Sequence, residues 1–357
     1  MQGCFTLIKE YGYEYDAELD LDLWKDTKGN VTSNTLFGAI CLRSGRDALK
    51  AIAREYKQCV ALLPALACDS MVQPFKQYNH TVRYYKLNQD YSIDIDSIKL
   101  RDGEQVLFLY MDYFGIQSIN DEMLQELKSK GNIVFIEDRT HTLIWKKNSG
   151  FIADYTMASL RKWISIPDGG LLWGNINNPL DCDTSFAEIR LKAQNMRHDY
   201  LNTGDEKKKT EYRRIFSTVS SRIDRGNPSA MSAYSYQLAK DTDFDLVRTV
   251  RRSNAKELIS ILKTSPFVKL IQSKSGLSDL YVAFAVPKRD VVQMRLANEG
   301  IFNTIIWPLT NEQKCFCHVA KETEENMLAA PCDQRYTIKD MHFIGEEIVR
   351  VVADVNK

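Results

Sequence analysis

No stretch of this sequence approaches the roughly eighteen consecutive apolar residues that a membrane-spanning helix requires, so no membrane partner is expected. Net charge is absent too. Forty-seven basic residues balance 47 acidic ones, which removes the electrostatic reason to expect a nucleic acid or another polyanion. Eight cysteines in 357 residues are neither dense nor regularly spaced, which argues against a disulfide framework. Cys315-Phe-Cys317-His318 is the only close group, and without a second ligand pair it makes no metal site. His80, His198, His318 and His342 fall in no ligand pattern. The first ten residues hold too short an apolar stretch for a secretory leader, so a cytoplasmic location is expected. Internal repeats and low-complexity linkers are also missing.

What is present is an ordinary globular composition, 44% hydrophobic and 26% charged, over a length that suits a large domain with a smaller one. After about 35 acidic and aromatic residues without strong period, short apolar runs alternate with helical spacing. Val60–Pro64, Val106–Tyr110, Ile133–Ile136 and Leu171–Trp173 read as strands. Ala48–Tyr56 and Asp121–Lys130 read as helices. This alternation predicts βαβ units and a mostly parallel sheet buried on both faces. Glu206–Arg214 is charged enough for a solvated helix or loop, and Phe244–Leu262 reads as one long helix. Tyr281–Val286 is then a strand, and Asp290–Asn298 and Tyr336–Val352 are helices. We divide the chain into an arm (1–35), a large α/β domain (36–245) and a small α+β domain (246–357).

In open α/β sheets ligands gather at the carboxyl ends of the strands. Glu137, Asp138 and His141 follow one such strand. Ser159-Leu-Arg-Lys162 follows another apolar stretch, with Pro167-Asp-Gly-Gly170 beyond it. Upstream, the turn Ser44-Gly45-Arg46-Asp47 opens a helix and can offer free backbone N–H groups to a phosphate. A carboxylate, a lysine after a serine, and a phosphate-ready helix start suit pyridoxal 5′-phosphate. The lysine binds its aldehyde, the carboxylate keeps its ring nitrogen protonated, and amides with a hydroxyl hold its phosphate.

These segments resemble those of the DegT/StrS sugar aminotransferases, within the fold type I enzymes that use pyridoxal phosphate. Ile136-Glu-Asp138-Arg-Thr-His141 is similar to that family's E-D-x-x-[Gln/His] segment, and Lys162 with Gly169 and Gly170 to its lysine followed by G-E-G-G. Ser44-Gly-Arg-Asp-Ala-Leu49 resembles its S-G-T-A-A-L turn. Glu299-Gly-Ile301 with Pro308-Leu309, and Ala330-Pro through Asp340, resemble its C-terminal segments, so ordered likeness runs over nearly the whole chain.

The resemblance implies a cytoplasmic homodimer with a shared active site, in which Lys162 carries the cofactor as an imine. Asp138 would pair with the ring nitrogen and His141 would contact the ring or its hydroxyl. Ser159 and the Ser44–Asp47 turn would bind the phosphate. The reaction implied moves an amino group from an amino acid, expected to be glutamate, to a keto-sugar, expected to be nucleotide-linked. Departures from the pattern are specific. Met157 stands where the family has serine, and Ser159 is three before the lysine instead of five. Arg46 replaces threonine, Cys68 takes the ring-stacking aromatic's place, and Ile223 falls where an asparagine crosses to the partner. Arg46 or Arg225 could supply the missing positive charge, and Arg225 is our choice. Two alternatives stay open: a cofactor-binding sensor without turnover, which the substituted positions support, and another reaction of the same cofactor, such as a dehydration or lyase step, with Lys162 arguing against the dehydratase.

Overall fold

The computed structural model describes residues 8–17, 21–27, 29, 31, 35–116, 120–144, 153–271 and 278–357. The first described strand is β1 (Tyr11–Gly12). An eight-stranded sheet follows, made of β2 (Thr35–Leu36), β3 (Ala39–Leu42), β4 (Val60–Pro64), β5 (Thr81–Tyr85), β6 (Gln105–Met111), β7 (Asn132–Asp138), β8 (Tyr155–Ala158) and β9 (Gly170–Trp173). Its order is β2-β3-β9-β8-β7-β6-β4-β5. The run from β5 to β8 is parallel, β9 lies antiparallel between β8 and β3, and β2 is antiparallel to β3. Strands β3, β7 and β8 therefore share a direction and end at the same edge.

All five residues of β4 are buried, as are the last six of β6. A strand covered on both faces needs such unbroken apolar runs, which is why the runs themselves could locate them. The helix Gly45–Glu55 packs on the sheet through Ala48, Leu49, Ala51 and Ile52. The charged stretch read as helix or loop is a helical hairpin, Ser185–Thr203 with Glu206–Arg225, turned at Gly204 in the left-handed region (φ 73°).

A second sheet of four strands, in the order β10-β11-β14-β13, is wholly antiparallel. Its strands are β10 (Lys269–Ile271), β11 (Tyr281–Ala285), β13 (Thr304–Ile305) and β14 (Met327–Pro331), while β12 (Ile301–Phe302) pairs with β1 instead. The helices Phe244–Leu262 and Ile338–Asn356 share a core with it through Leu258, Leu262, Phe284, Ile344 and Ile348. Each such side chain contributes roughly 1.5–3 kcal/mol by leaving water, and Leu258→Ala should cost about 2–5 kcal/mol. Among the described residues no helix is long and apolar enough to cross a membrane, and no cluster of metal-ligating side chains occurs.

Candidate active site

Three segments converge at the shared carboxyl edge of β3, β7 and β8. The first is the start of helix Gly45–Glu55, whose hydrogen-bonding donors and dipole favour an anion. Glycine is needed there on both sides of the contact. A Cβ on Gly170 would lie 2.2 Å from the Ser44 carbonyl carbon, and one on Gly45 would lie 2.9 Å from Met157 Cε and 3.3 Å from Ser159 Cβ. The Gly169–Gly170 pair noted in the sequence thus brings β9 against this helix start.

The second segment is the end of β7. Asp138 is its last residue, and its Oδ1 accepts from the Thr140 amide at 2.8 Å. Burial raises the Asp138 pKa, opposed by Thr140's hydrogen bonds and by the charge of Lys162. His141 is 1% exposed. Its Nδ1 accepts from the Phe114 amide at 3.1 Å, which leaves the proton on Nε2. Burial, aided by the positive charge of Lys162, pushes its pKa from 6.5 to about 3. His141 is therefore neutral at physiological pH, with an Nε2–H to donate.

The third segment is the tight turn Leu160–Lys162 after β8. It is pinned by the Leu160 amide on the Gly169 carbonyl (3.2 Å) and by the Trp163 indole on the Thr140 carbonyl (2.8 Å). Lys162 is half-buried, with Nζ 6.0 Å from the centre of the Trp307 ring. That ring also lies 5.8 Å from His141. Trp307 comes from the segment after β13, so the second sheet closes this side.

These segments enclose a cavity of about 130 Å3. Ser44, Gly45, Arg46, Cys68, Asp138, His141, Ser159 and Lys162 all line it. Asp47 and Arg225 do not join them. The Asp47 carboxylate takes two hydrogen bonds from Arg43 (3.0 and 2.8 Å) and one from the Ser44 hydroxyl (2.6 Å), and the Asp47 amide donates back to Ser44 Oγ at 3.1 Å. Its negative charge is thereby neutralised, and its amide is already committed. Arg225 ends the helix Glu206–Arg225 with its side chain exposed, away from this cavity within the chain.

Several lining residues were not singled out in the sequence: Ser70, Met71, Met111, Thr140, Arg161 and Trp307. Arg161 and Thr140 lie inside motifs already quoted, and Trp307 directly precedes Pro308-Leu309. Adjacency was their only available signal.

The arrangement fits pyridoxal phosphate on the state of its polar groups. Among the described residues, Lys162 Nζ, Ser159 Oγ and His141 Nε2 have no hydrogen-bond partner, although all three residues border one cavity. Polar groups left unpaired within the chain retain their capacity for a ligand.

No family model matches this chain, and no curated protein matches it in sequence. Solved structures do match. DesI, crystallised in the presence of its TDP-sugar product, is 14% identical at a TM-score of 0.70, over 97% of this chain and 94% of that one. PseC of Helicobacter pylori, an aminotransferase of pseudoaminic acid biosynthesis, is 15% identical at 0.66, over 97% and 100%. A DegT/DnrJ/EryC1/StrS aminotransferase from Brucella abortus is 14% identical at 0.61, over 88% and 86%. This chain has the fold type I aminotransferase fold. The mostly parallel sheet expected from the sequence is present, and the similarity covers 86% or more of each chain.

Proposed function

We propose that the protein is a pyridoxal-phosphate-dependent sugar aminotransferase of the DegT/StrS kind. It would move an amino group from an amino acid, glutamate in our reading, to a nucleotide-linked keto-sugar. The observation that carries this is the set of unpaired groups around one cavity: a lysine amine, a serine hydroxyl and a neutral histidine N–H, facing a buried aspartate. When bound, the cofactor supplies an electron sink for a carbanion and a carrier for the amino group.

The chain's own residues then have separate tasks. Lys162 Nζ holds the cofactor and moves the proton as general base and acid, a role its freedom from hydrogen bonds permits. Asp138 accepts from the ring N–H, and its burial makes that charge-assisted bond strong. His141 donates Nε2–H to a ring oxygen substituent without adding charge. Ser159 and the start of helix Gly45–Glu55 bind the phosphate oxygens. Cys68 is too small to stack on the ring.

The reading includes a cytoplasmic homodimer with a shared site. Its division of the chain near residue 245 puts Trp307 on the smaller domain. Adding L-glutamate to the cofactor-loaded protein is expected to convert the absorption band to that of the amine form, and adding a keto-sugar nucleotide to restore it. A band that forms yet ignores amino donors would favour the sensor, and absence of any band would overturn the cofactor reading.

A further inference from the structure

Arg161 immediately precedes the proposed cofactor lysine and lines the same cavity. Its guanidinium makes no hydrogen bond or salt bridge to any described residue, and its Nε is shut off from solvent without a partner. Arg190 and Arg197 also have buried, unbonded Nε atoms, but their terminal nitrogens bind Glu14 (2.7 Å) and Asp16 (3.0 Å). Arg161 has only the face of Phe186, 5.7 Å away. The carboxylates whose fields reach it are engaged elsewhere, Glu14 with Arg190 and Asp168 with Ser232.

Burial, together with repulsion by Arg190 and Arg46, pulls the Arg161 pKa down to about 9. It is still charged at neutral pH, and among the described residues that charge has no counterion within salt-bridge distance. Arg46 stands in the first turn of helix Gly45–Glu55, and the turn's Gly45 abuts Ser159. This side of the cavity therefore combines the Arg161 side chain, a helix start and a hydroxyl, with the Arg46 guanidinium donating to the Ser220 carbonyl at 3.3 Å. A planar fork of donors suits a phosphate's oxygens.

We propose that Arg161 binds the phosphate group of the cofactor, supplying within the chain the positive charge that the sequence analysis assigned to Arg225. This rests on the pyridoxal phosphate reading above. The phosphate's negative charge would relieve the repulsion among Arg161, Arg46 and Arg190, and it would accept the hydrogen bonds Arg161 does not make internally.

The test compares wild-type protein with Arg161→Met for binding of pyridoxal phosphate, of pyridoxal without the phosphate, and of inorganic phosphate as competitor. The expected result is at least a tenfold weaker affinity for pyridoxal phosphate, about the same affinity for pyridoxal, and a parallel loss of competition by phosphate. Arg161→Lys, which keeps the charge, should retain most of the preference for the phosphorylated form. If the Met variant does not fold, Arg161→Gln gives the same neutral comparison. Equal weakening for both forms, or no weakening, would overturn the proposal, as would a raised KM for glutamate with the phosphate preference intact. A wild-type protein that binds pyridoxal phosphate, paired with a variant of undiminished phosphate preference, removes Arg161 alone. A wild-type protein that binds none removes the functional reading as well.

Discussion

Arg251 and Arg161 are both guanidinium groups packed on aromatic rings close to Lys162, yet they are partnered in opposite ways. Arg251 lies 4.9 Å from the centre of Trp163 and is 1% exposed. Its nitrogens reach Gln334 (2.9 Å), the carbonyls of Asp279 and Leu280 (3.2 and 3.1 Å), the Tyr15 hydroxyl (2.6 Å) and the Lys162 and Trp163 carbonyls (3.4 and 3.2 Å). Arg161 makes none of these bonds. Two aspartates repeat the contrast. Burial raises the pKa of both Asp138 and Asp168. Asp168 is held by the amide and hydroxyl of Ser232 (2.8 and 2.6 Å), whereas Asp138 faces the cavity. Behind Lys162, Arg251 and Asp168 are held by several hydrogen bonds each, because each unsatisfied buried group would cost about 1–3 kcal/mol. In front of it, Lys162 Nζ, Ser159 Oγ and the Arg161 guanidinium are left open within the described residues, and that difference separates framework from site.

The contrast can be broken at its extremes. Lys162→Ala should abolish the cofactor absorption band and lower transamination by about a thousandfold or more. Because Nζ has no hydrogen bond to lose, its melting curve should stay within about 0.5 kcal/mol of wild type. The converse belongs to Arg251→Met. Chemical denaturation should show a loss of about 3 kcal/mol or more, since a cluster of buried carbonyls loses its donor.

A subtler pair is Asp138→Asn and Asp168→Asn. The first should lower turnover on the order of a hundredfold by weakening the hold on the ring nitrogen, with no stability lost. The second should cost about 1–3 kcal/mol in denaturation and leave the cofactor band in place.

His141 sharpens the comparison through pH. Its folded pKa of about 3 lies below the unfolded 6.5, so the unfolded chain takes up its proton first as pH falls. The stability tied to neutral His141 is fully present above about pH 6.5 and drains away toward about pH 3. His141→Asn should flatten the denaturation profile across that window. Nuclear magnetic resonance of the histidine ring in Lys162→Ala should show a higher pKa than in wild type, because the lysine's charge is one of its two causes.

Legibility in the sequence followed the same division. Val60–Pro64 and Phe244–Leu262 have the same boundaries in sequence and structure, because an unbroken apolar run and a helical period are local signals. The helix Asp69–Gln77 was missed. It carries Pro74 inside, and its first-turn Asp69 and last-turn Lys76 frame a short apolar face. The hairpin of Ser185–Thr203 and Glu206–Arg225 was half visible, because charge marked the solvent side and hid Tyr200, Tyr212 and Phe216 packed between the helices. In the cavity, Asp138, His141, Ser159 and Lys162 were legible as motif residues at strand ends. The commitment of Asp47 to Arg43 and the exposure of Arg225 depend on side-chain orientation, which spacing does not encode. Trp307 reaches the cavity from the other sheet, a long-range contact with no local mark.

The central claim is that Lys162 is the group that holds the cofactor. Its most direct measurement is borohydride reduction of the protein loaded with pyridoxal phosphate, followed by proteolysis and mass mapping. The account predicts a single pyridoxyl group fixed on Lys162 and none on Lys162→Ala. A label on another lysine, or a label unchanged in the variant, would contradict it.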